Sequence, residues 1–262
     1  MSPILWAAAA TGFTFLLTTL GAAAVFLVRR GSEGSVQHIF LGFAAGVMVA
    51  ASIWSLLIPA IEQAGATGAG WLPAAAGVAL GALFMWLFDL ALPHLHPGSN
   101  TAEGPRTSWH RSTLLVGAVT LHNIPEGMAL GLTFALAAQE GTGAAYAAAF
   151  ALAVGIGIQN LPEGAAVSLP LRHEGFSAGK AFLFGSLSGL MEPIFGIATV
   201  LVAATIAPYM PWLLSFAAGS MLFVVVEELI PAAHLGERSD VGTLSFLAGF
   251  ILMMVLDVAL AA

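Results

Sequence analysis

His122-Asn123-Ile124-Pro125-Glu126-Gly127 and Gln159-Asn160-Leu161-Pro162-Glu163-Gly164 are two copies of one hexapeptide, each set in a long hydrophobic run. An ionisable side chain in such a run is costly and marks a functional site by default. On a helix, residues three and four apart share a face, so His122, Asn123 and Glu126 project together, as do Gln159, Asn160 and Glu163. Pro125 and Pro162 cannot donate to the carbonyls four residues earlier, so each helix is expected to bend and free a carbonyl. Freed backbone is tolerated in lipid only where it is buried in protein or lines a watery cavity. Asn, Gln and His can serve as hydrogen-bonding glue between helices, but matched carboxylates in a repeated motif are poorly explained that way. Imidazole, carboxylate and amide oxygens together imply a divalent-metal site on a path through the membrane. Without thiolate, the ligands suit an ion that must leave as well as enter.

Composition points the same way. Of 262 residues, 59% are hydrophobic and only 8% are charged, against about a quarter in soluble domains. The chain therefore reads as an all-α polytopic membrane protein with the lipid bilayer as its surroundings. Its 30 glycines suit close helix packing in lipid. The absence of cysteine excludes disulfides, thiolate zinc sites and cysteine nucleophiles. A net charge of -7 would ordinarily suggest repulsion from anionic lipid or nucleic acid, but about half of the acidic residues lie within or beside the spans and need a different reading; no nucleic-acid partner is expected. The first hydrophobic segment is too long for a signal peptide and lacks a basic leader, so it is expected to be retained.

Spans of about 20 apolar residues can be placed at 4–28, 38–61, 71–92, 113–138, 143–169, 178–207, 211–233 and 241–260, eight in all. The basic residues Arg29, Arg30, Arg106, Arg111, Arg172, Lys180 and Arg238 all fall on odd-numbered connections or, for Lys180, in the first turn of the span that follows one. Cytoplasmic loops are rich in Lys and Arg, so both termini are expected to be extracytoplasmic. The longest connection, 93–110, carries His94, His96 and His110, and reads as a cytoplasmic linker with a weak metal-acquiring alternative.

Further candidates lie in the later spans. Glu192, in Gly189-Leu190-Met191-Glu192-Pro193, is another mid-span carboxylate beside a proline and reads as a metal ligand. Three glutamates in one bundle repel unless protonated or bridged by a cation, and a divalent pair bridged by Glu126 and Glu163 would resolve that. Asp89, His94, Glu227, Glu228 and His234 fall towards the cytoplasmic side, either as an exit ladder or as hydrated interfacial residues. Asp257 falls at the opposite end, where an admitting role and a hydrated terminus are both open. Met48, Ser52 and Ser55 share a face of the second span, with Met48 a candidate gate.

The two hexapeptides, the eight spans, the histidine-containing third connection and Met191-Glu192-Pro193 together resemble the ZIP (Zrt/Irt-like) divalent metal transporters, closest to their GufA-type branch. The resemblance covers essentially the whole chain. It implies a single transmembrane domain over 1–262, with helices 1–3 and 6–8 as inverted repeats around helices 4 and 5. It implies transport of zinc, and of iron, manganese or cadmium, towards the cytoplasm. Carried over by position, one metal would use His122, Glu126, Gln159 and Glu163. A second would use Asn123, Glu126, Asn160, Glu163 and Glu192. Some relatives have an acid where this chain has Asn160, so the second position is expected to be weakened or retuned. Met48, His94, Glu227 and Glu228 match less tightly as passage residues. The resemblance also implies a bacterial inner (plasma) membrane location and fits a homodimer.

No Gly-x-x-x-x-Gly-Lys-Ser/Thr motif occurs, so transport is expected to be carrier-like or channel-like rather than driven by ATP. No catalytic cofactor is expected, and the metal is cargo. The competing class is an intramembrane zinc-dependent hydrolase, which needs an open metal position and a general base. No His-Glu-x-x-His occurs, and the chain is read as a transporter rather than an enzyme.

Overall fold

The computed structural model describes residues 2–27, 34–65, 71–91, 111–203, 205, 207–233 and 240–261, which form helices and no strand. Helix α1 spans Pro3–Ala22 and tightens into a 3₁₀ turn at Ala23–Phe26. Helix α2 runs through Gly34–Ala51, a π-helical stretch at Ser52–Leu57, and Ile58–Gly65. Helices α3, α4 and α5 span Trp71–Ala91, Arg111–Glu140 and Gly143–His173. Helix α6 is broken into Ala178–Ser188 and Met191–Ala203. Helix α7 comprises Met210–Val224, a π-helical stretch at Val225–Leu229, and Ile230–Ala232, and α8 spans Val241–Ala261. Seven of these helices are long and apolar enough to cross a membrane; α4 is long enough, but His122, Asn123 and Glu126 dilute its apolarity.

Local chemistry sets the ends. Ser2 caps α1, its Oγ accepting from the Leu5 N–H, with Pro3 at the first helical position. Gly141 (φ 67°) closes α4 in the left-handed region, and Thr142 Oγ1 then caps α5 by accepting from Ala145 N–H at 3.1 Å. Ser177 caps α6 in the same way after Gly175 (φ 96°). Several expected boundaries move: α2 runs from Gly34 to Gly65, α4 from Arg111 to Glu140, α5 continues past 169 to His173, and the expected sixth span is broken at Gly189–Leu190. Pro125 and Pro162 lie inside helices that continue through them.

The inverted repeat is visible in paired packing. Helix α2 packs on α8 and α3 on α7, while α1 packs on α5 and α4 on the second half of α6. Phe43-Ala44-Ala45-Gly46-Val47-Met48 in α2 recurs as Phe216-Ala217-Ala218-Gly219-Ser220-Met221 in α7, and each is followed by a π-helical stretch and an Ile-Pro pair. The crossings match as well. A Cβ on Gly249 would meet Phe43 O at 2.1 Å, and one on Gly81 would meet Phe216 O at 2.0 Å. These helices touch backbone to backbone, as small residues allow in lipid. Gly81→Val is expected to cost at least about 1–3 kcal/mol, read as a lower melting temperature in detergent with Gly12→Val, which meets open space, as the control.

Candidate metal centre

The final glycine of each hexapeptide decides how closely the neighbouring helices approach. A Cβ on Gly127 would lie 2.5 Å from Glu192 O, and one on Gly164 would lie 2.0 Å from Thr18 O. With no side chain there, α6 presses Glu192 against α4, and α1 presses Thr18 against α5. Ile124 and Leu161 aside, each motif faces inward. Asn123, Glu126, Gln159 and Asn160 are 0–1% exposed, His122 is 8% and Glu163 is 7%. Glu192 is fully buried.

The amide donors are bound to specific acceptors. Gln159 Nε2 donates to Glu126 Oε1 at 2.5 Å, tying the two hexapeptides together. Asn160 Nδ2 donates to Glu192 Oε1 at 2.8 Å. Asn123 Nδ2 donates to Ser188 O at 2.8 Å, a carbonyl freed where α6 breaks at Gly189–Leu190. The other oxygen of each group is left over. Asn123 Oδ1, Glu126 Oε2, Gln159 Oε1, Asn160 Oδ1 and Glu192 Oε2 are buried with no hydrogen-bond partner. Buried acceptors without donors are costly. A cluster of them, in electrostatic reach of one another through Glu126, Glu163 and Glu192, is a cradle for a cation. Among the described residues, the His, Asp and Glu side chains do not by themselves close three or more around one point; the amide oxygens must contribute.

Glu228, read as a rung of a cytoplasmic exit ladder or as a hydrated interfacial residue, is not hydrated: it is 4% exposed and meets His122 Nε2 at 2.5 Å. The π-helical stretch in α7 turns it inward. The two copies differ in length here by a single residue: ten positions separate Met48 from Ile58 and nine separate Met221 from Ile230, and the π-helical stretches between them have six residues and five. Its neighbour Glu227 is exposed, as a ladder residue would be. Asp89 is half-buried and in electrostatic reach of His122. Met48 is 1% exposed in the core.

Asp257 is not hydrated either. It is 5% exposed and accepts from Ser55 Oγ at 2.6 Å, away from the centre. The pair lines a cavity of about 640 Å³ with Glu62, Gln63 and Glu140 at the other end of the bundle. His94, His96, His110, His234 and the 93–110 connection lie outside the described residues.

The profile described as "ZIP Zinc transporter" matches residues 106–257, which include both hexapeptides and Glu192. The chain belongs to the ZIP family. It is 35% identical to the zinc transporter ZIP11 of Homo sapiens, over 99% of this chain and 98% of that protein. To the zinc transporter GufA of Myxococcus xanthus it is 36% identical, over 93% and 94%. To the zinc transporter ZIPB of Bordetella bronchiseptica it is 41% identical, over 94% of this chain and 78% of that protein. The GufA-type likeness read from the hexapeptides is thereby borne out. As a ZIP protein this chain is an integral, multi-pass membrane protein of a transporter family, and nothing in these relatives supports a hydrolase.

Proposed function

We propose that this chain carries a divalent metal, zinc foremost and iron, manganese or cadmium as well, across the membrane into the cytoplasm. The observation that supports this most is the set of buried, unpartnered oxygens on Asn123, Glu126, Gln159, Asn160 and Glu192. The first position would use His122, Glu126, Gln159 and Glu163, and the second Asn123, Glu126, Asn160, Glu163 and Glu192, with Glu126 and Glu163 bridging. The relatives' names support zinc as the cargo.

The two packing groups favour alternating access. Helices α1, α4, α5 and α6 hold the hexapeptides and Glu192, while α2, α3, α7 and α8 pair through their glycines. Movement of one group against the other would expose the centre first to the Asp257 cavity and then to Glu228, Glu227 and Asp89, with Met48 as a gate. The basic residues, all on odd-numbered connections or in the helix ends bordering them, support extracytoplasmic termini, and the resemblance implies a bacterial inner membrane. A homodimer is the assembly the resemblance implies.

Uptake of zinc and cadmium into proteoliposomes tests the proposal. Wild-type protein is expected to carry metal-dependent flux, and His122→Ala and Glu163→Ala to lose it. Tight binding without flux in the wild type would return the chain to an enzyme or sensor reading. Asn160→Asp adds a charge at the second position and is expected to raise metal stoichiometry there, measured by elemental analysis of the loaded protein; unchanged stoichiometry would remove Asn160 from that position.

A further inference from the structure

The cavity beside Asp257 is larger and less polar than the passage of an ion requires. Its volume is about 640 Å³, whereas a divalent ion with six waters fills roughly 180 Å³ at about 30 Å³ per water. Trp54, Ile58, Leu136, Ala148 and Val258 contribute apolar wall, from which a hydrated ion gains nothing. Apolar walls with a few placed polar groups, at this volume, are the form of an organic ligand's pocket.

The charged groups in it are acids. Glu62 and Glu140 are exposed, and Asp257 is 5% exposed. Among the described residues that line the cavity, none is basic. Asp257 Oδ1 takes the Ser55 hydroxyl at 2.6 Å, but Oδ2 is buried with no hydrogen-bond partner. A buried carboxylate oxygen in that state is costly, and the N–H of an organic cation would satisfy it with a charge-assisted bond. Trp54 adds the aromatic ring that attracts cations best. Its edge-to-face contact with Phe250, centroids 5.6 Å apart at 73°, fixes the indole at the wall.

Spacing narrows the ligand. Ser55, which holds Asp257, and Glu62 are seven residues apart on α2, roughly 10 Å along a helix axis at about 1.5 Å per residue. One buried acid, one acid at the exposed rim and apolar wall between them match a chain with a charge at each end. A metal ion, as a point charge, would leave the wall and one of the acids unused.

We infer that this cavity binds a linear organic dication of the polyamine class. One ammonium group sits on Asp257, the methylenes run along Trp54 and Leu136, and the other ammonium sits on Glu62 or Glu140. Trp54 and Asp257 stand on α2 and α8, and Leu136 and Glu140 on α4, so the bound molecule spans the two packing groups. It holds them together and blocks metal uptake. The block rests on the transport reading above; binding itself does not.

The test titrates the purified, metal-free full chain with spermidine by calorimetry, since its end ammonium groups stand about as far apart as the two acids. n-Butylamine, with one ammonium, is expected to bind at least about 10-fold more weakly. Asp257→Asn is expected to weaken spermidine binding by about 10–100-fold and Trp54→Leu by about 3–30-fold, with both variants eluting as the wild type does. Spermidine on both sides of proteoliposomes should block zinc uptake at fixed free Zn2+, and Trp54→Leu should raise the concentration needed. No spermidine binding by the wild type, equal affinity for butylamine, or unchanged affinity in Asp257→Asn would overturn the inference. Unchanged affinity in Trp54→Leu would overturn it too, leaving a charge-only antechamber for the metal. Binding without a block would overturn the bridging of the two groups. Spermidine binding by a wild type that carries no zinc would leave the site standing and overturn the transport reading instead.

Discussion

Glu126→Ala is expected to abolish metal flux while leaving a folded, monodisperse protein. Glu126 is fully buried, its Oε1 is held by Gln159 Nε2 and its Oε2 has no partner. It lies in electrostatic reach of both Glu163 and Glu192, so it is the carboxylate best placed to serve two positions at once. Groups that merely orient metal ligands are worth about 10–100-fold, and loss of a shared ligand should exceed that, to at least about 100-fold in zinc uptake. Glu126→Gln keeps the volume and the bond to Gln159 while removing the charge, and it should fail equally. Uptake by either variant near the wild-type rate, with normal elution in size-exclusion chromatography, would remove the hexapeptides from the transport site.

The second large effect is expected at Glu228. A zinc ion taken by His122 Nε2 must displace the Glu228 oxygen now 2.5 Å from that nitrogen. Glu228 therefore competes with the cargo for one atom. A hydrogen bond involving a charged group contributes about 1.5–3 kcal/mol, so Glu228→Ala should tighten zinc binding by about 10–100-fold. Release should slow to match, because the acid that reclaims His122 is gone. The expected signature is a split: a lower dissociation constant by calorimetry together with a lower maximal uptake rate. Weaker binding with unchanged flux would make Glu228 a prop for the imidazole rather than a competitor for it.

Both effects depend on side chains whose roles were legible to different degrees. The hexapeptides, the spans and Glu192 were readable because each is a local property: a carboxylate in an apolar run is conspicuous whatever surrounds it. The family followed from the same residues. The repeat of Phe43–Met48 in α7 was also present in the chain, but its meaning, a pair of equivalent π-helical stretches, needed the packing of α2 on α8 and α3 on α7.

The sequence by itself determined that this chain crosses a membrane in helices and carries polar ligands at matched depths, because hydropathy and motif spacing act along the chain. Only the tertiary structure decided that Glu228 meets His122, that Asp257 meets Ser55, and that Thr14 and Thr18 border Glu192. Each of those pairings joins helices far apart in the chain. They are set by glycine crossings and by π-helical stretches that rotate a side chain from one face to another, and no periodicity records that rotation.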